Sequence, residues 1–328
     1  MMKQIKNRVR QLGVTLTLLA LLVTQALAAV PAYLIPGGNT VGIKLYTRGL
    51  VVTAVSDGMA AQAAGLKAGD TILAADGDPV RTAQSLCAHL QEGKPVVLTV
   101  LRGEQEAKFL VSPEKTEDGC RLGLTLRDHI AGIGTVTYYD PDSRRFGALG
   151  HGITDMDTAQ LMSLSSGSIM ETTVKAVKKG LKGEPGELRG DFTVQRDVGT
   201  LTANTNGGIF GKVADAGFID ETQAIPVAAA WEVKCGPATI LATVNGSDTR
   251  EYQVEILRLY GSDHDTRNLM LKVTDPQLLA ATGGIVQGMS GSPILQNGKF
   301  VGAVTHVLID DPARGYGIFM ENMLKMAG

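Results

Sequence analysis

The stretch GMSGSPILQNGKFVGAVTH, residues 288–306, decides how the second half of this chain folds. Its glycines surround Ser290, and glycine most readily adopts the backbone conformations of a tight loop. Asn297-Gly298 then separates two runs rich in valine and isoleucine, which is the usual sign of a β-hairpin with a two-residue turn. The stretch therefore predicts a tight loop that leads into a hairpin. That loop is either a plain surface turn or the support of a nucleophilic serine.

The bulk composition favours a β-rich globular protein. A length of 328 residues predicts two domains, because a single hydrophobic core rarely grows beyond a few hundred residues. Forty glycines and only 5% aromatic residues point to many turns. The formal net charge of −2 provides no electrostatic basis for binding nucleic acid, and we exclude that class of partner.

The N-terminus predicts export. Basic residues precede a stretch without any charge, residues 11–43. This pattern is typical of a signal peptide or an uncleaved signal-anchor, which we assign to residues 1–34. The ALA sequence at 26–28 fits signal cleavage, and the uncharged continuation fits an anchor, so both remain open. Because the basic flank stays inside, we expect the rest of the chain to be exported and to contact the membrane through this segment.

The cysteines give no sign of a metal or cofactor site. Cys87, Cys120 and Cys235 form an odd set without a C-x-x-C pair. We expect buried thiols that act as small hydrophobic side chains, with at most one disulfide. We predict no cofactor and no bound metal.

The sequence AGLKAGDTILAADGDPV, residues 64–80, is the most specific part of a region that resembles a PDZ domain. Two short strands with a turn near Arg48-Gly49, a short helix, a strand, a longer helix and a hairpin are predicted here. We assign residues 35–113 to this domain. PDZ domains bind an extended peptide at a sheet edge and hold its carboxylate in a loop of backbone amides. The resemblance implies that Val41, Gly42 and Ile43 form that loop.

Residues 114–328 consist of short apolar runs broken by glycine, aspartate and asparagine. This pattern predicts a β-barrel or a pair of barrels. Helical periodicity is predicted only in METTVKAVKKG, residues 170–180, and in the C-terminal segment 319–328.

The G-x-S-G-[GS]-P pattern at 288–293 is that of the serine turn in chymotrypsin-like proteases. A nucleophile elbow of the α/β-hydrolase type, G-x-S-x-G, would require glycine at position 292, where this chain has Ser292. In the protease turn the amides of Gly288 and Ser290 would form an oxyanion hole. A serine also needs a base, and His151 lies between two glycines after an apolar run, where its ring can project into a cleft. We expect His306 to be structural and give His129 no role.

Several longer motifs resemble the stage IV sporulation protein B family. They are AGIGTVTYYDP, ALGHGITDMDT, KGEPGELRG and the region from residue 283 to 323, behind a PDZ domain. The resemblance implies a mainly β chain with a chymotrypsin-like β-barrel peptidase domain. It implies a membrane-tethered serine endopeptidase that cleaves itself and the extracytoplasmic part of a membrane regulatory protein. Intramembrane processing of a late sigma factor would follow. The chain would face the space between the forespore membranes.

The same resemblance assigns the catalytic residues. His151 is implied to be the general base, Ser290 the nucleophile and Asp275 the acid of a triad. From the residues alone, Asp155 and Asp157 are rivals of Asp275, because both lie close to His151 in sequence. A PDZ adaptor with an inert peptidase-like domain is the alternative function.

Overall fold

The structure is a computed structural model that describes residues 32–117, 119–214, 223–261 and 266–327, without the side chains of 192–195. It is mainly β, as the composition predicts. The predicted signal peptide or signal-anchor falls on residues 1–31, outside the described part. None of the helices in the described ranges is long and apolar enough to cross a membrane.

The elements are numbered in chain order. The strands are β1 Tyr33–Pro36, β2 Thr40–Val55, β3 Thr71–Ala75, β4 Asp78–Pro79, β5 Val96–Arg102, β6 Gln105–Val111, β7 Glu114–Thr116, β8 Gly119–Arg121, β9 Leu124–Asp140, β10 Arg145–Ala148, β11 Leu164–Lys178, β12 Glu187–Thr205, β13 Gly208–Val213, β14 Ile225–Pro226, β15 Gly236–Ala242, β16 Arg250–Leu259, β17 Leu269–Val273, β18 Pro293–Gln296, β19 Lys299–Leu308 and β20 Asp311–Phe319. The helices are α1 Ala60–Ala63, α2 Ala83–Cys87, α3 Pro276–Thr282 and α4 Met320–Lys325.

The C-terminal half forms a closed barrel in the order β15-β16-β17-β20-β19-β18. Its strands bury alternate side chains, as Tyr252, Val254 and Ile256 do in β16, because successive residues of a strand face opposite sides. Asn297 and Gly298 both have positive φ, 53° and 72°, and join β18 to β19 as the sequence predicts for a two-residue turn.

Another barrel, here called the first barrel, precedes it in the chain. Strands β9, β10, β13, β12, β11 and β2 pair in that order, and β2 also pairs with β9, which closes the ring. Its core includes Val41, Phe146 and Ile209, all fully buried. The chain therefore contains two packed barrels.

The PDZ module is inserted into this first barrel. The ends of β2 and β9 leave the barrel together as a ribbon, to which β3, β5 and β6 are added beside β2. The module has its own core, with Leu50, Ile72, Leu86 and Leu98 among the buried residues. Residues 40–46 pair within the barrel, so the module begins later in the chain than the predicted boundary at residue 35.

The predicted carboxylate loop, Val41-Gly42-Ile43, is wrong. These residues lie buried inside β2, where one edge pairs with β9 and the other with β11. No backbone amide of a strand paired on both edges is left for a peptide carboxylate.

Two further predictions differ from the structure. β2 runs unbroken through Arg48-Gly49, where a Cβ on Gly49 would lie 2.3 Å from the carbonyl oxygen of Ile72. This glycine permits close approach of β3 and does not form a turn. The cysteines also differ, because Cys87 and Cys235 are free and exposed and Cys120 is free and half-buried.

Candidate active site

A cleft of about 750 Å³ contains both His151 and Ser290. Strand β9 lines one side of it from His129 to Ile133, and the end of β19 lines another. The structure thus brings together two residues that are far apart in the sequence and that the sequence assigned to the same reaction.

The loop that carries Ser290 is held in a tight shape by Thr135 of the first barrel. Gly288 and Gly291 have φ of 96° and 98°, conformations that residues with a Cβ rarely adopt. A Cβ on Gly291 would lie 2.2 Å from the carbonyl oxygen of Thr135. The Thr135 hydroxyl donates to the carbonyl of Gly288 at 2.7 Å, and the Thr135 amide donates to the carbonyl of Ser290 at 3.1 Å.

Two amides of this loop remain available for an oxyanion. Neither the amide of Gly288 nor that of Ser290 donates a hydrogen bond within the described part of the chain, whereas those of Met289, Gly291 and Ser292 do. Both residues line the cleft. Preorganised amides next to a nucleophile are what an oxyanion hole requires.

His151 follows a turn in which Leu149 and Gly150 both have positive φ, 72° and 68°. The turn is fixed because the Leu149 amide donates to the carbonyl of Thr135 at 3.2 Å. Thr135 therefore joins the histidine turn to the serine loop. Thr135 was not among the predicted site residues, and no local signal singles it out, because the run AGIGTVTYYDP holds a second threonine at Thr137.

The tautomer of His151 is set by a backbone carbonyl. Its Nδ1 lies 2.9 Å from the carbonyl oxygen of Gly152, and a carbonyl only accepts, so Nδ1 carries the proton. In the neutral ring Nε2 is then left as the proton acceptor. Burial lowers the pKa of His151, and the Gly152 hydrogen bond offsets part of that effect. The ring is therefore a neutral base.

The Ser290 hydroxyl is engaged by a neighbour in the cleft. It donates to the carbonyl oxygen of Thr305 at 3.0 Å. The ring of His306, the next residue, lies with its centroid 5.2 Å from that of His151, and its buried Nδ1 has no hydrogen-bond partner within the described residues. Burial, then electrostatic interaction with the His151 ring and with Arg267, lower the pKa of His306 to about 4. The Ser290 hydroxyl must leave this hydrogen bond before its proton can pass to His151.

Asp275 does not orient His151 in this structure. It is the N-cap of α3, and its carboxylate accepts from the amides of Gln277 at 2.8 Å, Leu278 at 3.1 Å and Gln253 at 3.3 Å. Asp-Pro before an apolar run is a common helix start, and Gly283 ends the helix with a φ of 76°.

The rival carboxylates are engaged elsewhere as well. Buried Asp155 accepts from Arg127 at 2.6 Å and from the amides of Asp157 and Thr158, and Asp157 accepts from Arg127 at 2.9 Å. Burial raises the pKa of Asp155. The hydrogen bonds from Thr158 and Asp157 and the charge of Arg127 together lower it by more, so that the net pKa lies below the ordinary value. These two carboxylates fix the loop after His151 onto β9.

The family model described as SpoIVB peptidase S55 matches residues 117–324. The chain belongs to the SpoIVB peptidase S55 family. A model of the PDZ domain also matches residues 51–102, which lie in the inserted module and exclude Val41-Gly42-Ile43.

Other known proteins are similar to parts of this SpoIVB-family chain. "Putative zinc metalloprotease Atu1380" of Agrobacterium fabrum is 36% identical over 87 residues, which are 26% of the chain and 23% of that protein. The chain thus spans less than a quarter of the length of this relative. The inactive form of the Rv3671c protease is 16% identical, with 59% of this chain and 82% of that one covered and a TM-score of 0.34. The active form, from M. tuberculosis, is 18% identical, with 60% and 73% covered and a TM-score of 0.33.

Proposed function

We propose that the chain is a serine endopeptidase in which Ser290 is the nucleophile and His151 the general base. The observation that carries the proposal is the shared cleft, in which His151 and Ser290 lie beside the available amides of Gly288 and Ser290. His151 is neutral, and its Nε2 makes no hydrogen bond to any described residue. His151 would take the Ser290 proton as Oγ attacks the peptide carbonyl, and the two amides would stabilise the oxyanion. The Gly152 carbonyl would do the orienting that a triad assigns to an acid.

The biological role follows from the family. We infer that the substrate is the extracytoplasmic segment of a membrane-anchored regulatory protein, that the chain also cleaves itself, and that the products permit intramembrane processing of a late sigma factor in sporulation. The proposed location is the forespore membrane, facing the intermembrane space. Family membership and the uncharged segment 11–43 support these proposals.

One observation favours the alternative, a PDZ adaptor with an inert peptidase-like domain. The Ser290 hydroxyl bonds to Thr305 and makes no hydrogen bond to His151 in the described residues. An adaptor would keep that arrangement, whereas a peptidase would leave it when substrate binds.

A fluorophosphonate probe separates the two functions. Attack of Ser290 Oγ on phosphorus expels fluoride and leaves a stable covalent adduct on an activated serine only. We expect labelling of the wild-type chain and loss of more than about a hundredfold in both Ser290→Ala and His151→Gln. Ser292→Ala is the matched control, because Ser292 is a buried neighbour and should label like wild type. Equal labelling of Ser290→Ala and wild type would exclude Ser290 as the nucleophile.

A further inference from the structure

Strand β9 has one edge that is open between the PDZ module and Ser290. From Leu124 to Gly134 it pairs with β2 on one side, and no other described strand pairs with this segment. Its pairing with β1 and β10 begins only at Val136. An unpaired edge presents backbone donors and acceptors that an extended peptide can use.

A pair of free amides lies immediately before this edge. The carbonyls of Leu122 and Gly123 accept from the amides of Ala61 and Ser56, both at 2.9 Å. The amides of Leu122 and Gly123 themselves donate no hydrogen bond within the described residues. Gly123 has a φ of 79°, and consecutive amides in such a turn form a concave site for an anion.

The beginning of β9 also offers an apolar groove. Helix α2 of the PDZ module lies against β9. Leu124 and Leu126 are only partly buried at the margin of the module's core. Side chains of a strand added at this edge would contact them.

The other end of the same edge reaches the catalytic serine. The cleft that holds Ser290 is lined by Arg127 and by β9 from His129 to Ile133. Within this run Ala131 and Gly132 are exposed. The Thr135 amide, two residues farther on, is bonded to the carbonyl of Ser290.

PDZ domains bind a C-terminal segment as an added strand, and we propose that here β9 also measures that segment, because the same edge of β9 continues from the PDZ module to Ser290. The free carboxylate would bind the amides of Leu122 and Gly123, and the preceding residues would pair antiparallel with β9 as far as Ser290. The proposal deepens the proposed function and rests on it. Because each residue of a ligand strand pairs with about one residue of β9, cleavage would release a C-terminal fragment of about ten residues.

The occupant is the C-terminus of another protein. Helix α4 near the chain's own C-terminus is anchored in the core by Met320 and Met323, both fully buried. Residues 320–325 are therefore not free to extend along β9. The anion site selects for a terminal carboxylate, and backbone pairing along the edge sets few demands on side chains.

Two libraries of randomised peptides test the proposal. Each peptide is about 20 residues long, so that it extends about ten residues beyond the segment that β9 would measure. One library ends in a free carboxylate and the other in a carboxamide. The full chain is incubated with each, and the released C-terminal fragments are analysed by mass spectrometry. We expect fragment lengths in the carboxylate library to centre on about ten residues and the carboxamide library to be cut about tenfold more slowly, as expected for the loss of a charge-assisted hydrogen bond. Equal rates and fragment lengths would overturn the proposal.

Binding to the Ser290→Ala chain separates this proposal from the peptidase assignment. We expect this variant to bind and retain more peptide from the carboxylate library than from the carboxamide library. Equal retention would overturn the carboxylate site. Preferential retention without cleavage by wild type would overturn the peptidase and the measured fragment length while supporting the carboxylate site.

A pair of charge reversals in the same Ser290→Ala chain locates the carboxylate site. Arg121→Glu places a negative charge beside the free amides and should lower retention of the carboxylate library about fivefold or more without affecting the carboxamide library. Lys108→Glu, on exposed β6, makes the same change of charge away from β9 and should have no effect. An Arg121→Glu chain that still prefers the carboxylate library would overturn this placement.

Discussion

At the scale of single residues, Thr135 holds the two halves of the site together. Its hydroxyl bonds to Gly288, its amide to Ser290 and its carbonyl to the turn before His151. Thr135→Val keeps the shape of the side chain but leaves the Gly288 carbonyl without its donor. We expect a loss of about 1–3 kcal/mol in stability, and about a tenfold fall in kcat because the oxyanion loop is released. Chemical denaturation and turnover of a fluorogenic peptide measure the two effects.

Thr137 supplies the matched control for this substitution. It lies in the same strand and is equally buried, but its hydroxyl has no hydrogen-bond partner among the described residues. Thr137→Val should therefore leave kcat unchanged and stability equal or higher. If both variants lose activity alike, packing in β9 and not the Thr135 hydrogen bond supports the site.

The half-buried histidines of the cleft make stability depend on pH. Burial lowers the pKa of His306 from 6.5 to about 4, so between these values the unfolded chain binds more protons than the folded one. Stability should therefore be fully present above pH 6.5 and fall as the pH drops toward 4. His306→Gln should flatten this slope. Urea denaturation of both chains across this range checks the prediction, and parallel slopes would contradict it.

At the scale of elements, Asp275 belongs to α3. Asp275→Ala removes the N-cap and should lower stability by about 1 kcal/mol, whereas Asp275→Asn keeps most of it, because asparagine is also a good cap. Since the Gly152 carbonyl orients His151, we expect kcat/KM of both variants to stay within about threefold of wild type. A loss of about 10⁴-fold in both would show that the carboxylate moves to His151 during catalysis, as a triad requires.

Local signals predicted those elements that depend on neighbours in sequence. The Asn297-Gly298 hairpin and the short helix α1 are present because turn residues and a glycine stop fix them locally. Residues 170–180 are predicted to be helical, but residues 170–178 belong to β11, where Met170, Thr172 and Val174 are buried. β11 pairs with β12 through Lys178 and with β2 as far as Glu171. Pairing with two distant strands overrides helical periodicity, and that pairing cannot be read from a local window.

The active-site residues show the same contrast between what local sequence predicts and what distant contacts decide. His151 and Ser290 stand in glycine turns whose local sequence marks them, and the structure brings them to one cleft. The fold gives His151 and Asp275 backbone partners, and it gives Asp155 backbone amides, the Thr158 hydroxyl and Arg127. A search of the sequence for a side-chain triad therefore predicts a carboxylate beside His151, whereas in the structure the carbonyl of Gly152 orients the ring.

At the scale of the whole molecule, the PDZ module and the peptidase share β2 and β9. Arg127 lies where this ribbon enters the barrel and neutralises buried Asp155 in the loop after His151. The order of domains along the chain suggested two separate bodies, because an insertion between paired strands leaves no mark in composition. The ribbon makes the module an extension of the sheet of the first barrel.

The two barrels have cores distinct from that of the PDZ module, which allows the module to be removed. Replacing residues 52–126 by an Asn-Gly turn joins β2 to β9 beside the Val51–Arg127 pair and keeps the ion pair with Asp155. We expect the shortened chain to fold and to hydrolyse a small activated ester within about tenfold of wild type, since the groups around Ser290 remain. Its preference for the carboxylate library over the carboxamide library should vanish, because Leu122 and Gly123 are gone. A folded but inactive chain, judged by circular dichroism and ester turnover, would mean that the module holds the catalytic residues in place and does not merely select the substrate.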